Sequence, residues 1–148
     1  MKTLALTLVL SCAAAGAVLA AADKKVQMKD LPAPVQKTVQ AEEAKGARIV
    51  GLAIEVEGGT KMYEVETTVG GRTRDLLLNA AGAIVETEEE TSIDAVPGPV
   101  KTALEARGTV GKIETVTRGA RVTYEAVVEK NGKKTEVAVN PAGKPIKP

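Results

Sequence analysis

The chain of 148 residues contains no His, no Phe and no Trp, and it has one Cys and two Tyr. Without histidine there is no imidazole to act as a general base, as a member of a catalytic triad or as a metal ligand. Since 20 basic residues nearly balance 19 acidic ones, there is no basic surplus of the kind that binds nucleic acid phosphates. These absences predict a protein that is not an enzyme, has no cofactor and does not bind nucleic acid.

Residues 1–22 have the pattern of a secretory signal peptide. Lys2 is a positively charged residue near the N-terminus, and residues 4–10 form an apolar segment. Residues 16–22 are mostly small, as is typical of the region before a signal-peptide cleavage site. Cleavage is predicted after Ala20 or Ala22. We therefore expect a bacterial periplasmic or secreted protein with no membrane span after cleavage.

Two other interpretations of this segment stay open. Residues 3–22 are long enough for a transmembrane helix, although they are rich in alanine. Cys12 follows a sequence that loosely resembles a lipoprotein cleavage site, but Leu10 is bulky for such a site and the residues after Cys12 remain apolar. Cleavage after Ala22 would leave a mature chain without cysteine, so we expect no disulfide.

The mature chain contains two copies of one pattern. Residues 63–86 align with residues 124–147 without a gap, and both copies begin with Tyr-Glu. A Pro-x-Pro sequence in an apolar context precedes each copy, at residues 31–35 and 96–100. Because two blocks recur in the same order, the sequence predicts a tandem duplication. The predicted division is a leader at 1–22, a first unit at 23–92 and a second unit at 93–148.

Each unit is predicted to begin with a short helix. Proline suits the first helical turn, since its missing N–H costs nothing there and its fixed φ is already helical. After each proline pair, apolar residues recur at helical spacing for about three turns. The predicted helices start at Pro32-Ala33-Pro34 and Pro97-Gly98-Pro99 and end near Gly46 and Gly108.

An antiparallel meander is predicted to follow each helix. Apolar and polar residues alternate with period two, as in half-buried strands, and glycine-containing pairs separate the runs. The fold prediction is therefore α+β, with two tandem helix-plus-meander units, αβββ(β), whose helices pack on one face of an antiparallel sheet. The acidic stretch 86–91 (ETEEET) is predicted to be the junction between the units.

The parity of this alternation predicts which side chains face the core. Tyr63 and Tyr124 both fall on the inward face, so we expect them in the core rather than in a binding surface. The first strand of the first unit is predicted to place Val50, Leu52, Ile54 and Val56 inward. The opposite parity places Glu55 and the other carboxylates of the first meander outward.

Carboxylates are frequent, but we interpret them as solvated. The pairs at 42–43, at 55 and 57, and the run 88–90 lie on polar faces or loops, whereas a general acid needs an apolar pocket to raise its pKa. The stretch 86–91 lacks the spaced ligands and the glycine of a calcium loop. We therefore predict neither catalytic residues nor a metal site.

At these repeated blocks the chain resembles the PepSY-like family, whose members are described as similar to the β-lactamase inhibitory protein. The shared pattern is an opening Leu31-Pro32 helix, a Tyr63-Glu64 strand and the sequence from Gly71 to Ile84, repeated between Val96 and Ile146. Asn79 and Asn140 depart from the family, which often has Asp there, and Pro145 stands where the first copy has Ile84. The resemblance implies exported, non-enzymatic proteins that bind or inhibit other proteins such as peptidases.

Two functions are therefore open. The first is a protein-binding module of the bacterial envelope, in its narrower form an inhibitor of a peptidase or another hydrolase, whose partner is another envelope or secreted protein. The second is a periplasmic carrier of a small ligand or metal, which requires an apolar pocket or convergent carboxylates. Charge is segregated, with a net −5 over residues 31–90 and +5 over residues 95–148. The predicted contact surface is the outward acidic strip Glu55, Glu57, Glu64, Glu66 and Asp75.

Overall fold

A computed structural model describes residues 24–57 and 59–146. Of this part of the chain, 54% is strand and 19% is helix, and the strands form one open antiparallel sheet. The predicted α+β fold of two tandem helix-plus-meander units is therefore wrong. The proposed leader, with Lys2, Cys12, Ala20 and Ala22, lies outside the described residues. None of the helices within the described ranges is long and apolar enough to cross a membrane.

The strands follow one another across the sheet in chain order, and each pairs antiparallel with the next. A short 3₁₀ turn, Met28–Asp30, precedes the first helix. The second helix interrupts the meander between the fifth and sixth strands. The elements are β1 Lys24–Lys25, α1 Ala33–Ala44, β2 Arg48–Glu57, β3 Thr60–Val69, β4 Arg72–Leu78, β5 Ile84–Thr91, α2 Gly98–Glu105, β6 Thr109–Arg118, β7 Arg121–Lys130, β8 Lys133–Val139 and β9 Pro145–Ile146.

Both helices begin where the proline pairs predict. Pro32 caps α1 and Pro97 caps α2 with extended backbone angles, and a second proline stands in the first turn of each helix. After α1, Gly46 adopts a φ of 98°, a left-handed conformation that favours glycine. The local sequence thus specifies the helix ends that position both helices on the sheet.

The hydrophobic core lies between the sheet and the two helices, in two clusters. Val35 and Val39 of α1 pack on Tyr63, Val65, Leu76 and Leu78, and Val100 and Leu104 of α2 pack on Ile113, Ala126, Val128, Val137 and Val139. Cross-strand pairing from Leu76 to Thr87 and on to Thr117 places both clusters on the same face of the sheet. The expected core position of Tyr63 is confirmed, and Tyr124 packs partly buried against the other cluster.

A bulge in β2 alters the predicted inward row. The register between β2 and β3 shifts between Ile49 and Gly51, so strict alternation breaks there. Leu52 and Ile54 pack on the core as predicted, together with Ile49. Val50 is 60% exposed and Val56, towards the end of the strand, is 46% exposed, so the inward prediction is wrong for these two residues.

The acidic stretch 86–91 is not a junction between units. It belongs to β5, which pairs with β4 on one side and with β6 on the other. Strand β5 therefore lies in the middle of the nine-stranded sheet and joins its two halves through backbone hydrogen bonds. The alternation Glu86-Thr87-Glu88 is a strand pattern in which one face is acidic.

The two Asn-x-Ala-Gly turns have the same geometry. The side-chain oxygen of Asn79 accepts hydrogen bonds from the N–H groups of Ala81 and Ala83, at 3.0 and 3.1 Å. The side-chain oxygen of Asn140 accepts hydrogen bonds from the N–H groups of Ala142 and Lys144, both at 3.0 Å. Each turn thus uses the asparagine side chain as a local acceptor, which is a common way to stabilise a tight turn.

The glycine of each of these turns packs against the start of a helix. Gly82 has a φ of 77° and Gly143 a φ of 73°. A Cβ at Gly82 would lie 2.4 Å from the Pro34 carbonyl oxygen, and one at Gly143 would lie 2.3 Å from that of Pro99. Only glycine combines this backbone conformation with so close an approach, so these turns help to hold the helices on the sheet.

Candidate functional site on the open face of the sheet

Neither helix covers the second face of the sheet, which we call the open face. Several of its side chains are nevertheless almost fully buried, including Val116 at 1% exposure, Thr123 at 3% and Ala138 at 4%. Because no described helix packs on this face, the neighbours that bury these residues are the side chains of adjacent strands. The centre of the open face is therefore closely packed, with side chains of neighbouring strands against one another.

The structure brings four residues of the predicted acidic strip onto the open face. Glu66 pairs with Asp75 across β3 and β4, and Glu64 lies two residues before Glu66 on the same face. Glu55 pairs with Met62, whose side chain shares that face with Glu64. Glu57 ends β2, and its side chain lies outside what the structure describes.

Further carboxylates extend this surface across the central strands. Glu88 of β5 pairs with Asp75 of β4, and Glu90 pairs with Glu114 of β6, which in turn pairs with Glu125 of β7. Like charges directly opposite each other destabilise a sheet, so these rows have an energetic cost. We call the set Glu86, Glu88, Glu90, Glu114 and Glu125 the central cluster.

The central cluster was not predicted as a site. The prediction that the carboxylates at 42–43 and 88–90 are solvated is wrong for Glu42, which is 3% exposed, and for Glu88, which is partly buried. In the central cluster, Glu86 is 8% exposed, and Glu114 and Glu125 are each 6% exposed. The alternation of Glu with Thr in 86–91 indicates a strand with an acidic face. Burial of that face depends on side chains from other strands, which local alternation does not report.

Two cations partly neutralise the central cluster. The ammonium of Lys112 lies 2.6 Å from Glu114 Oε1. The guanidinium of Arg118 binds Glu86 through two nitrogens, with Nη2 at 3.1 Å from Oε1. Glu90 instead accepts hydrogen bonds from the backbone and the hydroxyl of Thr73, at 3.2 and 3.1 Å. The open face therefore carries more carboxylates than nearby cations.

Burial and mutual repulsion raise the pKa of several carboxyls on the open face. Burial, followed by hydrogen bonding to Glu86 and repulsion from Glu114 and Glu125, raises the pKa of Glu88 to about 8. Burial also raises the pKa of Asp75, although the N–H of Thr67 and the charge of Lys112 oppose the increase. At neutral pH the centre of the face consequently holds protons that isolated glutamates would have released.

The same causes act further along the sheet. Burial raises the pKa of Glu125, with Arg118 opposing the change and nearby carboxylates reinforcing it. Burial and the charge of Glu114 also raise the pKa of Glu136. The carboxyls with raised pKa values therefore occupy strands from β4 to β8.

Two depressions among the described residues are either too small or too open to enclose a small apolar ligand. A cavity of about 10 Å³ lies beside Glu114, Glu125 and Glu136, with room for roughly one water molecule. A wider depression next to Lys25 and Asp30 is polar and open to solvent. Over residues 24–57 and 59–146, no three His, Cys, Asp or Glu residues are arranged to hold a metal ion.

Comparison with known proteins identifies related folds. No protein-family model matches the chain. No curated protein matches it either. Among solved structures, a DUF2874 family protein from Bacteroides ovatus has a TM-score of 0.61 at 22% identity, covering 79% of this chain and 85% of that one.

Two further structures are similar. A protein from Bacteroides eggerthii, named for a proposed periplasmic location, has a TM-score of 0.64 at 18% identity, covering 78% of this chain and 86% of its own. A BLIP-like protein from Bacteroides fragilis has a TM-score of 0.57 at 19% identity, covering 78% and 83%. At these identities the likeness concerns the fold alone. The chain therefore has a BLIP-like fold, while its PepSY-like family membership stays a prediction.

Proposed function

We propose that the mature chain is an exported, non-enzymatic module that binds another protein of the bacterial envelope or secreted space through the open face. The observation that carries this proposal is a sheet face, left uncovered by both helices, on which carboxylates of adjacent strands lie opposite one another. Such a surface suits a rigid, preorganised contact, because its backbone is already ordered before binding. Inhibition of a peptidase or another hydrolase is the form of binding that the PepSY-like resemblance implies.

The charge of the open face indicates the chemistry of the partner. The acidic strip and the central cluster form one acidic surface, broken by Met62, Leu77 and Val116. A partner with a basic patch around some apolar contacts complements it. Charge complementarity of this kind accelerates association and excludes partners of the wrong charge.

A duplication at the origin of the chain is also part of this proposal. It is supported by the matched proline starts of the helices and by the shared geometry of the turns at Asn79 and Asn140. The two predicted units, 23–92 and 93–148, would then correspond to the two core clusters. Export fits the leader at 1–22 and the proposed location of one structural neighbour.

Charge reversal tests the proposed surface. The Glu64→Lys/Glu66→Lys double variant is compared with a Glu43→Lys/Glu105→Lys control, in which both exposed changes lie on the helices. Partners captured from envelope extract by the wild type should be lost from the first variant and retained by the second. Capture should also weaken with salt, because screening acts within about 8 Å at physiological ionic strength. Equal capture by both double variants would rule out the open face as the contact surface.

A further inference from the structure

Glu125 differs from every other buried glutamate in the described residues. The buried glutamates are Glu42, Glu86, Glu114 and Glu125. Glu42 binds Lys45 and Arg74, Glu86 binds Arg118, and Glu114 binds Lys112. Within the described ranges Glu125 forms neither a hydrogen bond nor an ion pair, although only 6% of its surface is exposed. Among the described residues, Arg74 Nε is the one fully buried polar side-chain atom without a hydrogen bond, so the oxygens of Glu125 keep some contact with solvent. The carboxylate of Glu125 thus has a partial desolvation cost and can still be reached from outside.

In the described part of the chain, the two cations around Glu125 are both bound to other carboxylates. Arg118 is close enough to interact with it electrostatically, but the guanidinium of Arg118 is bound to Glu86. Lys112 lines the small cavity beside Glu125 and is bound to Glu114. The carboxyl groups of Glu114 and Glu136 also border this cavity. A positive group supplied from outside would therefore be attracted by three carboxylates and repelled by the ammonium of Lys112 and the guanidinium of Arg118.

The size and lining of the cavity restrict what this group can be. Its volume of about 10 Å³ is close to that of a single water position, so it accepts one terminal nitrogen of a side chain, and the rest of the cationic group stays outside it. Val127 provides apolar surface for an aliphatic stem. A long side chain with a cationic end and methylene groups behind it has this chemistry.

We propose that Glu125 is the anchoring residue for one lysine or arginine side chain of the partner protein. This inference rests on the protein-binding function proposed above and makes it specific. It places the centre of recognition on β7, in the second half of the sheet, rather than in the acidic strip of the first half. The unpaired state of Glu125 in the free protein is then the cost of a preorganised binding site.

Short peptides test the anchor without knowledge of the partner. The ¹⁵N-labelled mature protein is titrated at low salt with acetyl-Gly-Arg-Gly-amide, acetyl-Gly-Lys-Gly-amide or acetyl-Gly-Gln-Gly-amide. We expect saturable amide shifts around Glu125, Val127 and Glu136 with at least one cationic peptide and none with the glutamine peptide. In Glu125→Gln the affinity should fall at least tenfold, and Glu125→Thr replaces that variant if it does not fold.

Glu129→Gln is the matched control, because Glu129 is an exposed carboxylate on the same strand. It should change the affinity less than twofold. The anchor would be wrong if the Glu125 and Glu129 variants lost affinity for the peptides equally, or if the amide shifts were confined to β2 and β3. Either result would indicate diffuse charge attraction. Absence of any saturable shift would also overturn it. Shifts at these amides on concentrating the protein alone would point to a second copy of the chain, contrary to the proposal.

The anchor and the proposed function can fail separately. If captured partners bind Glu125→Gln as tightly as the wild type but are lost from the Glu64→Lys/Glu66→Lys variant, the binding function stands and the anchor is wrong. If the cationic peptides bind at Glu125 but no protein depends on the open face, the site takes small cations and the protein-binding function is wrong.

Discussion

Glu114 and Glu125 lie directly opposite each other on strands β6 and β7, and each is 6% exposed. Two buried carboxylates in this relationship repel each other unless cations or protons intervene. Lys112 neutralises Glu114, whereas Glu125 has no ion-pair partner among the described residues. The pair is therefore a local instability in the middle of an otherwise regular sheet.

The first prediction is that neutralising Glu125 stabilises the protein. Glu125→Gln should increase the free energy of unfolding at pH 8 by about 1 kcal/mol, because it removes a buried charge without a partner. Glu114→Gln should give a smaller increase or a decrease, since it also removes the ion pair with Lys112. Urea denaturation of both variants measures the difference. A clear loss of stability in Glu125→Gln would contradict this account.

The second prediction concerns pH. Because the pKa of Glu88 is raised from 4.5 to about 8, the folded protein binds more protons than the unfolded chain between these values. The free energy of unfolding should therefore fall as pH rises from about 5 to above 8. Asp75, Glu125 and Glu136, whose pKa values are also raised, act in the same direction.

Glu88→Gln provides the control for this pH dependence. In this variant the fall in the free energy of unfolding between pH 5 and pH 8 should be smaller by an amount on the order of 1–3 kcal/mol, with solvent screening taken into account. Denaturant titrations at several pH values measure both slopes. A wild-type protein that is more stable at pH 8 than at pH 5.5 would exclude the proposed protonation of the open face.

The third prediction concerns the helix face, where Glu42 is buried between cations. Glu42 accepts a hydrogen bond from Lys45 at 2.8 Å and one from Arg74. Hydrogen bonding to Lys45, with Arg74 assisting and burial opposing, lowers the pKa of Glu42. Its contribution to stability is thus present above the usual pKa of 4.5 and is lost as the pH falls further.

Glu42→Gln should accordingly lower the free energy of unfolding at pH 7 by about 2 kcal/mol, because it leaves Arg74 partly buried without its carboxylate. The Nε of Arg74 is already without a hydrogen-bond partner. Glu43→Gln, an exposed change on the same helix, should remain within about 0.5 kcal/mol of the wild type. Thermal melts compare the two variants. Equal melting temperatures would mean that the ion pair between Glu42 and Arg74 contributes nothing to stability.

The fourth prediction concerns the turn glycines. Gly82→Ala and Gly143→Ala should each destabilise the protein by about 2 kcal/mol or more, because the new methyl group meets both a left-handed φ and a helix carbonyl. Gly71→Ala is the control, since Gly71 has a φ of 83° but open space around it. It should cost about 1 kcal/mol. Similar losses in all three variants would show that the contact with the helix has no energetic weight.

The fifth prediction concerns export, and it rests on residues 1–22 alone. N-terminal sequencing of protein from the producing bacterium should begin at Ala21 or Asp23, following cleavage after Ala20 or Ala22. A retained Met1 or a lipid-modified Cys12 would contradict the predicted cleavage.

Much of the local structure follows from the sequence. The proline pairs predict where α1 and α2 begin. The glycine-containing pairs predict hairpin turns, and the structure has such turns at Gly70-Gly71 and Asn131-Gly132. These predictions hold because helix starts and tight turns depend on the backbone preferences of a few adjacent residues. Alternation likewise brings Glu55, Glu64, Glu66 and Asp75 to one face.

Where the predictions fail, interactions between distant residues are responsible. The inward row of β2 fails at Val50 because a bulge, set by pairing with β3, changes the parity there. The stretch 86–91 resembles a linker in composition, but pairing with β6 makes it a central strand. The two-unit α+β description fails because strands dominate the described residues and form one open nine-stranded sheet, with only two short helices.

The mature sequence alone is enough to specify the ends of its helices, the positions of its turns and the acidic character of one strand face, because each depends on neighbours along the chain. Tertiary structure decides which carboxylates become buried. Glu125 and Glu129 belong to the same strand, yet only Glu125 is buried and faces a carboxylate of β6, whereas Glu129 pairs with Thr109 and is exposed. Cross-strand register and packing arise from the whole sheet, so the open face is a property of the folded chain.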